Sequence, residues 1–310
     1  MLLAFFIYIN NSSLIVKDSN EKPMLLAHRG LAQTFPMEGI TGDTCTAERI
    51  HEPEHPFIEN TLPSMKAAFE AGADVVEIDV HPTTDGEFAV FHDWTLECRT
   101  NGVGVTRDHT MEELKTLDVG YGYTADQGKT YPFRGQGIGL MPSLQEVLTA
   151  FPEKPFLIHI KSNDPEEGEL LAQYLKNFSE ARLTQISVYG GDEPINTLKE
   201  QLPDLRVMSK RTMKSCLIPY IAIGWTGFVP NACENMQLHI PEKIASWLWG
   251  YPTKFVDRMR DSNTNLILVK GDGSWSEGFD EPQDLESLPE HYQGGIWTNR
   301  IDRIAPLLKD

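Results

Sequence analysis

Two acidic side chains and a histidine, close together in the sequence, are the first candidates for chemistry in this chain of 310 residues. Residues 74–80 read DVVEIDV and predict a buried strand, on which Glu77 and Asp79 project from the same face because side chains alternate along a strand. Two carboxylates on an otherwise apolar strand are costly to bury unless a cation compensates them, and a divalent metal ion commonly does so. His92 adds a group that can move a proton near neutral pH. The combination predicts metal-assisted hydrolysis.

Histidines accompanied by a basic residue end two further predicted strands. The first strand ends at His28, with Arg29 directly after it, and His159 and Lys161 form another i, i+2 pair at the end of the third. Arginine binds phosphate oxygens in a bidentate manner, and lysine acts as a point charge. Two histidines on opposite sides of a phosphorus atom can serve as base and acid. Together these groups indicate a phosphoryl substrate.

Short runs rich in Val and Ile alternate with helical segments along the chain. This alternation predicts an α/β fold with a parallel sheet, and eight strands favour closure into a barrel. The carboxyl ends of the strands then meet at one face, where the groups above would lie together. After the second strand, residues 84–86 predict a turn from which residues 87–92 return as an extended arm. The predicted strands are Met24–His28, Asp74–Val80, Phe156–Ile160, Gln185–Val188, Arg206–Ser209, Ile221–Trp225, Leu266–Val269 and Gly295–Thr298.

The helices between these strands carry sequence signals of their own. Ser143 and Glu146, for example, have the spacing of a capping box at a helix start. The glycine-rich segment 119–140 is long for a bare connection, so we expect it to cover a site. The predicted helices span residues 61–72, 111–117, 143–151, 165–178, 194–202, 241–248 and 252–261.

Composition limits the class of protein. With 40% hydrophobic and 23% charged residues, the composition is that of a soluble globular enzyme. The formal net charge of −18 makes nucleic acid and anionic membrane surfaces poor bulk partners. Residues 1–22 are an N-terminal extension whose apolar run LLAFFIYI is too short to span a bilayer. It is either the remnant of an export or anchor segment or a helix packed on the body, and residues 23–310 are expected to form one barrel domain.

The four cysteines bear on where the protein works. Cys45 and Cys98 lie in segments expected at the same barrel face, so they can form a disulfide, with Cα atoms about 4.4–6.8 Å apart. The other interpretation is four unpaired buried thiols, Cys216 and Cys233 included. A disulfide and the N-terminal run favour an extracytoplasmic or membrane-associated protein, with membrane association only through the N-terminus. A cytoplasmic location is the alternative.

Six other histidines have a simpler interpretation than catalysis. His51 and His55, in the sequence HEPEH, could hold a second metal ion, but an exposed acidic loop is preferred. The remaining four are interpreted as structural or surface residues. They are His81, His109, His239 and His291.

Several segments together resemble the glycerophosphodiester phosphodiesterases. The resemblance runs from about residue 24 to the C-terminus, and residues 59–93 are its most specific part. The matching segments are LLAHRG (25–30), ENTLPSMKAAFEAGADVVEIDVHPTTDGEFAVFHD (59–93), RTNGVG (99–104), MEELKTLD (111–118), MPSLQEVL (141–148) and GGIWTNRIDRIAPLL (294–308).

The resemblance implies a TIM (β/α)8 barrel that hydrolyses glycerophosphodiesters to glycerol 3-phosphate and an alcohol. It implies that His28 and His92 are the acid and base pair, although the sequence leaves open which is which. It also implies that Glu77 and Asp79 are ligands of one divalent metal ion, Mg²⁺ or Ca²⁺. The partner would be a small glycerophosphodiester or lysophospholipid.

Other residues receive roles from the same resemblance. Arg29 and Lys161 would hold the phosphate, and Glu59 would be a further substrate-binding residue at the edge of the site. The chain departs from the family at His159, where a glutamate usually provides the third metal ligand. Imidazole is softer than carboxylate, so His159 favours a transition metal, unless the two carboxylates and water hold the ion alone.

Two further departures concern the surroundings of the site. Residues 31–58 are a long insertion in the first βα loop, over the expected site, and should alter substrate choice. Lys270, in the sequence LVKGDG, would project near the site, with its role open. Two rival functions also stay open: an activity like that of sphingomyelinase D or lysophospholipase D, which a hydrophobic slot beside the metal would favour, and a phosphodiester-binding protein that lost turnover through the change at His159.

Overall fold

The computed structural model describes residues 1–13, 22–42, 44–271, 277–290 and 292–309. His291 and most of the second half of the predicted N-terminal extension lie outside the described residues. The strands are β1 (Met24–Ala27), β2 (Val75–Pro82), β3 (Phe88–Val90), β4 (Phe156–Ile160), β5 (Ile186–Tyr189), β6 (Arg206–Met208), β7 (Gln237–Pro241), β8 (Asn265–Val269) and β9 (Gly295–Thr298). The α-helices are α1 (Leu2–Asn11), α2 (Leu62–Ala71), α3 (Met111–Lys115), α4 (Leu144–Ala150), α5 (Pro165–Leu175), α6 (Glu180–Leu183), α7 (Asp192–Gln201), α8 (Lys210–Ile223), α9 (Glu242–Ala245), α10 (Thr253–Asp261) and α11 (Ile301–Lys309).

Eight parallel strands form a nearly closed barrel, as the alternation of strands and helices predicts. The hydrogen-bonded order is β6-β5-β4-β2-β1-β9-β8-β7. Between the two end strands of this order, Val207 forms a parallel bridge with Met236. The arm β3 pairs antiparallel with the end of β2, with Val80 opposite Val90. The fold is therefore a TIM-type barrel whose second strand carries a hairpin.

Strand β2 separates apolar from acidic side chains. Val76, Ile78 and Val80 are buried in the large core between the strands and the surrounding helices. Glu77 and Asp79 are fully buried on the opposite face, which points into the barrel. That interior is filled by a smaller apolar cluster of Leu26, Leu157, Ile267, Val269 and Trp297. The period of two along one strand therefore delivers both carboxylates to the barrel interior.

The insertion after β1 packs against the segment that follows the arm. Its residues Ala47, Ile50 and Ile58 share a separate apolar core with Tyr123 and Phe133. A disulfide joins Cys45 of the insertion to Cys98, with a Cα–Cα distance of 5.5 Å, so this predicted bridge is present. The glycine-rich segment 119–140 supports the insertion from this core and contributes no residue to the wall of the main cavity described below. The expectation that this segment covers the site was therefore wrong.

The prediction of a sixth strand at Ile221–Trp225 was also wrong. These residues end α8 and continue into a short 3-10 helix. The Ser209 side chain accepts a hydrogen bond from the Thr212 amide in a capping box, which starts a helix that runs through the apolar segment. The sixth barrel strand is β7 instead. A second disulfide, Cys216–Cys233, ties α8 to the segment before β7, so the interpretation of these cysteines as unpaired thiols was wrong as well.

Candidate active site

Asp79 is the most heavily contacted acidic group at the carboxyl ends of the strands. The Lys161 ammonium lies 3.3 Å from Oδ1 and the Arg29 Nε lies 3.2 Å from Oδ2. The His159 Nδ1 is 2.8 Å from Oδ1, and the Asn60 amide donates to Oδ2 at 3.0 Å. Burial raises the pKa of Asp79, but Lys161 and Arg29 overcome this effect and hold the pKa well below its usual value. Asp79 is therefore a carboxylate anion.

Glu77 has fewer compensating contacts. The Tyr189 hydroxyl donates to Oε1 at 2.8 Å, and the Arg29 backbone amide donates to Oε2 at 3.2 Å. Complete burial and the charge of Asp79 raise the pKa of Glu77 far above its usual value. An ionised Glu77 beside Asp79 thus requires a further positive charge, which is the condition that a bound cation satisfies.

His159 completes a set of three residues that could hold a metal ion. Ligand atoms of Glu77, Asp79 and His159 all lie within 4.8 Å of one another. Burial and the charge of Lys161 lower the pKa of His159 to about 4, so the imidazole is neutral, as metal ligation requires. The ring stacks on Tyr189 with centroids 4.1 Å apart. Two oxygen donors, a neutral nitrogen donor and the uncompensated Glu77 therefore fit a divalent cation.

His28 is held at the end of β1 by a neutral partner. Its Nδ1 lies 2.6 Å from the Asn299 Oδ1, while the Asn299 Nδ2 donates to Asp280 at 2.8 Å. Because the amide nitrogen of Asn299 is committed to Asp280, its oxygen faces His28, and His28 Nδ1 must be the donor. The Nε2 atom then carries the lone pair. Burial and the charge of Arg29 lower the pKa of His28 well below its usual value.

His92 is held by a charged partner at the end of the arm. Its Nδ1 lies 2.6 Å from the Asp93 Oδ1, and the other oxygen of Asp93 accepts a hydrogen bond from Arg99. Burial and the charges of Arg29 and Lys161 lower the pKa of His92 to about 4. His28 and His92 are thus both neutral in this structure, but one has a neutral partner and the other a charged partner.

A left-handed backbone turn orients Arg29 toward the carboxylates. Arg29 has φ 57° although it is not glycine, and its guanidinium Nη1 donates to Glu59 at 3.0 Å. Gly30 follows because a Cβ atom there would lie 2.5 Å from the Ser64 hydroxyl at the start of α2. The sequence His-Arg-Gly therefore reflects a close approach between the first loop and α2.

Arg99 is a residue of this site that sequence reasoning missed. It is buried, bridges Asp93 and Glu59, and donates to the Thr46 hydroxyl of the insertion at 2.6 Å. Tyr123 accepts a further hydrogen bond from it. The segment RTNGVG matched the family resemblance, but nothing in the sequence alone indicated this bridging position. Glu59 thus lies between Arg29 and Arg99 and lines the cavity described below.

One cavity of about 650 Å³ is lined by six of the candidate site residues, whereas Glu77 and Asp79 are fully buried and do not line it. The insertion provides one wall, which includes the apolar residues Phe35, Met37 and Ile40. The lining also includes Lys270 together with the carboxylates Glu277, Asp280 and Asp284. Lys270 forms an ion pair with Glu242 at 2.9 Å, so its charge is already neutralised. The candidate site residues on the wall are His28, Arg29, Glu59, His92, His159 and Lys161.

The other histidines mostly follow the structural interpretation. His81 is buried beside the backbone of His92. His51 forms a hydrogen bond with Thr34 and His55 forms one with Gln33, and neither belongs to a group of side chains that could hold a metal ion. His239 differs, because it lies inside the barrel on β7, 5.5 Å from Tyr189 and 5.2 Å from Trp297 between ring centroids. Its position was hidden because β7 was not among the predicted strands. Among the described residues, only Glu77, Asp79 and His159 are arranged so that they could hold a metal ion.

Comparison with known proteins agrees with this geometry. Residues 28–209 match the profile described as the glycerophosphoryl diester phosphodiesterase family. A glycerophosphodiester phosphodiesterase of Caldanaerobacter subterraneus subsp. tengcongensis is 30% identical over 191 residues, which are 60% of this chain and 65% of that protein. Lysophospholipase D GDPD1 of Rattus norvegicus is 26% identical over 191 residues, 60% of this chain and 58% of that protein. The matched region spans less than two thirds of each relative.

A solved structure supports the same fold. The phosphodiesterase of Oleispira antarctica in complex with sn-glycerol-3-phosphate has a TM-score of 0.58 and 17% sequence identity, and the match covers 93% of this chain and 98% of that one. The family profile covers more than half of the present chain and contains the carboxylate pair, the three histidines of the cavity wall and the basic residues beside them. This chain belongs to the glycerophosphoryl diester phosphodiesterase family.

Proposed function

We propose that the protein hydrolyses glycerophosphodiesters to glycerol 3-phosphate and an alcohol. The observation that carries the proposal is one cavity lined by two differently supported histidines and by two basic side chains that contact Asp79 of the buried carboxylate pair. Family membership supports it, as does the glycerol 3-phosphate bound to the Oleispira antarctica relative.

The proposed metal site consists of Glu77, Asp79 and His159. A divalent ion bound there supplies Lewis-acid stabilisation of charge on a phosphoryl oxygen. The two carboxylates suit Mg²⁺ or Ca²⁺, whereas the imidazole favours a transition metal. Arg29 and Lys161 both reach the cavity from their contacts with Asp79 and would neutralise the phosphate oxygens.

In the proposed mechanism His28 is the general base. Its Nδ1 is committed to Asn299, so its Nε2 can accept the proton of the nucleophile, either water or the glycerol hydroxyl of the substrate, whose oxygen bonds to phosphorus as the bond to the leaving alcohol breaks. Water gives glycerol 3-phosphate directly, whereas the glycerol hydroxyl gives a cyclic phosphate that water must open in a second step. A neutral amide acceptor gives little stabilisation to a protonated ring, which favours a base that returns its proton readily. Asp280 acts through Asn299 by fixing the orientation of the amide.

His92 is the general acid in this scheme. A carboxylate partner stabilises the imidazolium form, and Asp93 is such a partner. Burial and the charges of Arg29 and Lys161 hold the pKa of His92 at about 4. An anionic phosphodiester bound between the two basic residues would compensate their charge, which raises the pKa of His92 and favours its protonation. The protonated His92 would then donate to the oxygen of the leaving alcohol.

A lysophospholipid is the second candidate substrate. The insertion lines the cavity with Phe35, Met37 and Ile40, the kind of wall that an acyl chain would contact. The rat relative named lysophospholipase D supports this alternative. A binding protein without turnover is the third, and the complete set of acid, base and cationic groups argues against it.

The test is product analysis with two substrates, glycerophosphocholine and lysophosphatidylcholine. We expect glycerol 3-phosphate and choline from the first, and loss of activity when EDTA removes divalent ions. Preferred cleavage of the second substrate would favour the lysophospholipase D alternative. Absence of product from both, over a range of added divalent metals, would favour a binding protein.

His159 determines which metal is preferred in this proposal. His159→Glu replaces a borderline nitrogen donor with a hard oxygen donor, so affinity should shift toward Mg²⁺ or Ca²⁺ and away from transition metals. Isothermal titration of both proteins with each metal measures the shift directly. An unchanged order of metal affinities would mean that the two carboxylates and water hold the ion alone.

We also propose an extracytoplasmic or membrane-associated location. The two disulfides, Cys45–Cys98 and Cys216–Cys233, are typical of oxidising compartments. Labelling of free thiols in protein taken directly from cells tests this, because no cysteine should react before reduction. Four reactive thiols would indicate a reducing, cytoplasmic location instead.

A further inference from the structure

Exposed apolar side chains are concentrated in three segments outside the cavity. Of the 21 large apolar residues exposed in the described part of the chain, 14 lie in residues 1–13, 209–233 and 243–254. The exposed residues of these three segments are called the apolar patch below. Such a concentration is unusual on a soluble surface and marks an interaction site. The large apolar members are Met1, Leu2, Leu3, Phe5, Phe6, Tyr8, Ile9, Ile218, Ile221, Ile223, Phe228, Ile244, Trp247 and Trp249.

Hydrogen bonds hold the three segments together as one surface. The side chains of Asn10 and Asn11, at the end of α1, donate to the Trp225 carbonyl at 3.1 and 2.8 Å. The Trp249 indole donates to the Ile221 carbonyl at 2.9 Å. Arg258 lies beneath all three segments, within 3.3 Å of backbone or side-chain oxygens in each. The apolar patch is therefore continuous.

The charge of these segments is opposite to that of the rest of the molecule. They contain five Lys and Arg residues and no Asp or Glu, so that the formal charge of −18 divides into +5 on the patch segments and −23 elsewhere. Along the exposed face of α8 the side chains change from Arg211 and Lys214 to Ile218 and Ile221. Arg211 pairs with Glu193, which leaves the lysines as the main source of positive charge on this face.

Helix α1 cannot cover this surface itself. None of its residues is buried, and its length is about 15 Å, half the thickness of a bilayer core. No helix among the described residues is long and apolar enough to cross a membrane. Helix α1 is short and apolar and lies beside exposed tryptophans and lysines. This combination is typical of a protein surface that lies in the bilayer interface without crossing the membrane.

We propose that the apolar patch docks the protein onto the surface of an anionic lipid bilayer. The apolar side chains and Trp247 enter the interface, while Lys210, Lys214 and Lys243 face the lipid phosphates. The distant negative charges are screened within about 10 Å at ordinary ionic strength, so they do not prevent this orientation. A second copy of the chain fits less well, because a symmetric contact would bring the same lysines against one another.

This contact is independent of the proposed hydrolysis and extends membrane association beyond the N-terminus to the barrel body. The test is co-sedimentation of the chain with vesicles of phosphatidylcholine alone and with phosphatidylglycerol added. We expect binding to the anionic vesicles, reduced about tenfold by Trp247→Ala because an aromatic side chain no longer enters the lipid. Turnover of soluble glycerophosphocholine should be unchanged in this variant, so the result does not depend on catalysis.

A matched pair of variants controls for general loss of apolar surface. Ile218 in the patch and Ile138 outside it are 64% and 62% exposed. Ile218→Ser should weaken vesicle binding several-fold, and Ile138→Ser should leave it unchanged. The double variant Lys210→Glu, Lys214→Glu should lose about tenfold in binding to anionic vesicles only.

Two results would overturn the proposal. One is wild-type protein that stays in the supernatant with both kinds of vesicle. The other is vesicle binding that Trp247→Ala and Ile218→Ser leave unchanged. Sedimentation velocity tests whether a second copy of the chain occupies the patch instead. If the protein does not bind vesicles but forms a dimer that Trp247→Ala dissociates, the patch is a dimer interface.

Discussion

The two proposed acid and base histidines, His28 and His92, are the same residue type in two different environments. His28 donates to the neutral amide of Asn299, which Asp280 orients, and its ring lies against Trp297. His92 donates to the carboxylate of Asp93 within a buried network of charges. Burial lowers the pKa of both rings, so burial does not distinguish them. The two rings differ in the partner of Nδ1. Asn299 keeps the lone pair of His28 on Nε2, whereas Asp93 stabilises the protonated form of His92.

Removal of either imidazole should have the largest effect on the reaction. His28→Ala and His92→Ala should each lower kcat by about 10²–10⁴, because each removes one proton-transfer group. Release of glycerol 3-phosphate from glycerophosphocholine measures the loss, and thermal unfolding confirms that each variant is folded. His109→Ala, at a histidine outside the cavity, is the control. Near wild-type activity in a stable His28→Ala or His92→Ala protein would refute the acid and base assignment.

Changes to the partners should have smaller and unequal effects. Asp93→Asn gives His92 a neutral acceptor like that of His28, and kcat should fall by about 10–100-fold because the imidazolium loses its counter-charge. Asn299→Ala removes only the constraint on the His28 ring, so we expect a loss of about tenfold or less. Steady-state kinetics of both variants provide the comparison. Equal losses, or a greater loss in Asn299→Ala, would contradict the unequal roles.

Protein stability in acid should show the smallest effect. An unfolded histidine gains its proton near pH 6.5, whereas His92 in the folded protein does so near pH 4. The unfolded state therefore binds more protons between these values, and the free energy of unfolding should fall as the pH is lowered from 6.5 to 4. Part of the His92 ring is exposed to solvent, which weakens the effect of its surroundings on the pKa. We therefore expect His92→Gln to reduce the fall in the free energy of unfolding by about 1–2 kcal/mol.

Urea unfolding of metal-free protein at several pH values measures this fall. His109→Gln serves as the control for loss of a histidine as such. If the acid dependence of His92→Gln coincides with that of the wild type, then His92 is not held neutral by its surroundings, and the description of the charged side of the cavity is wrong.

The same comparison explains how much of the site the sequence could predict. The His92 side is local: the carboxylates follow from the period of two along β2, and Glu59, His92 and Asp93 all fall within the specific segment 59–93. The His28 side depends on Asn299, which is 271 residues away and reaches His28 only because β1 and β9 pair in register. No local pattern indicates that pairing or the role of Asp280.

The fold shows a similar division. The strands β4 and β9 begin and end where predicted, because their apolar runs have no competing helix signal. Ile221–Trp225 has the β-branched and aromatic composition of a strand, but the cap at Ser209 begins a helix that includes Ile221. This error hid β7 and with it the position of His239. Local composition does not predict the structure of a segment when a helix that begins about a dozen residues earlier continues through it.

The leaving group provides the most direct test of the central claim, that His28 is the base and His92 the acid. An alkyl alcohol needs a proton to leave, whereas the phenolate of a nitrophenyl ester leaves without one. The measurement is kcat of wild-type, His28→Ala and His92→Ala proteins with glycerophosphocholine and with the p-nitrophenyl ester of glycerol 3-phosphate. We predict that the nitrophenyl ester restores most of the activity of His92→Ala and little of that of His28→Ala. Restoration of His28→Ala instead, or of both variants equally, would contradict the account.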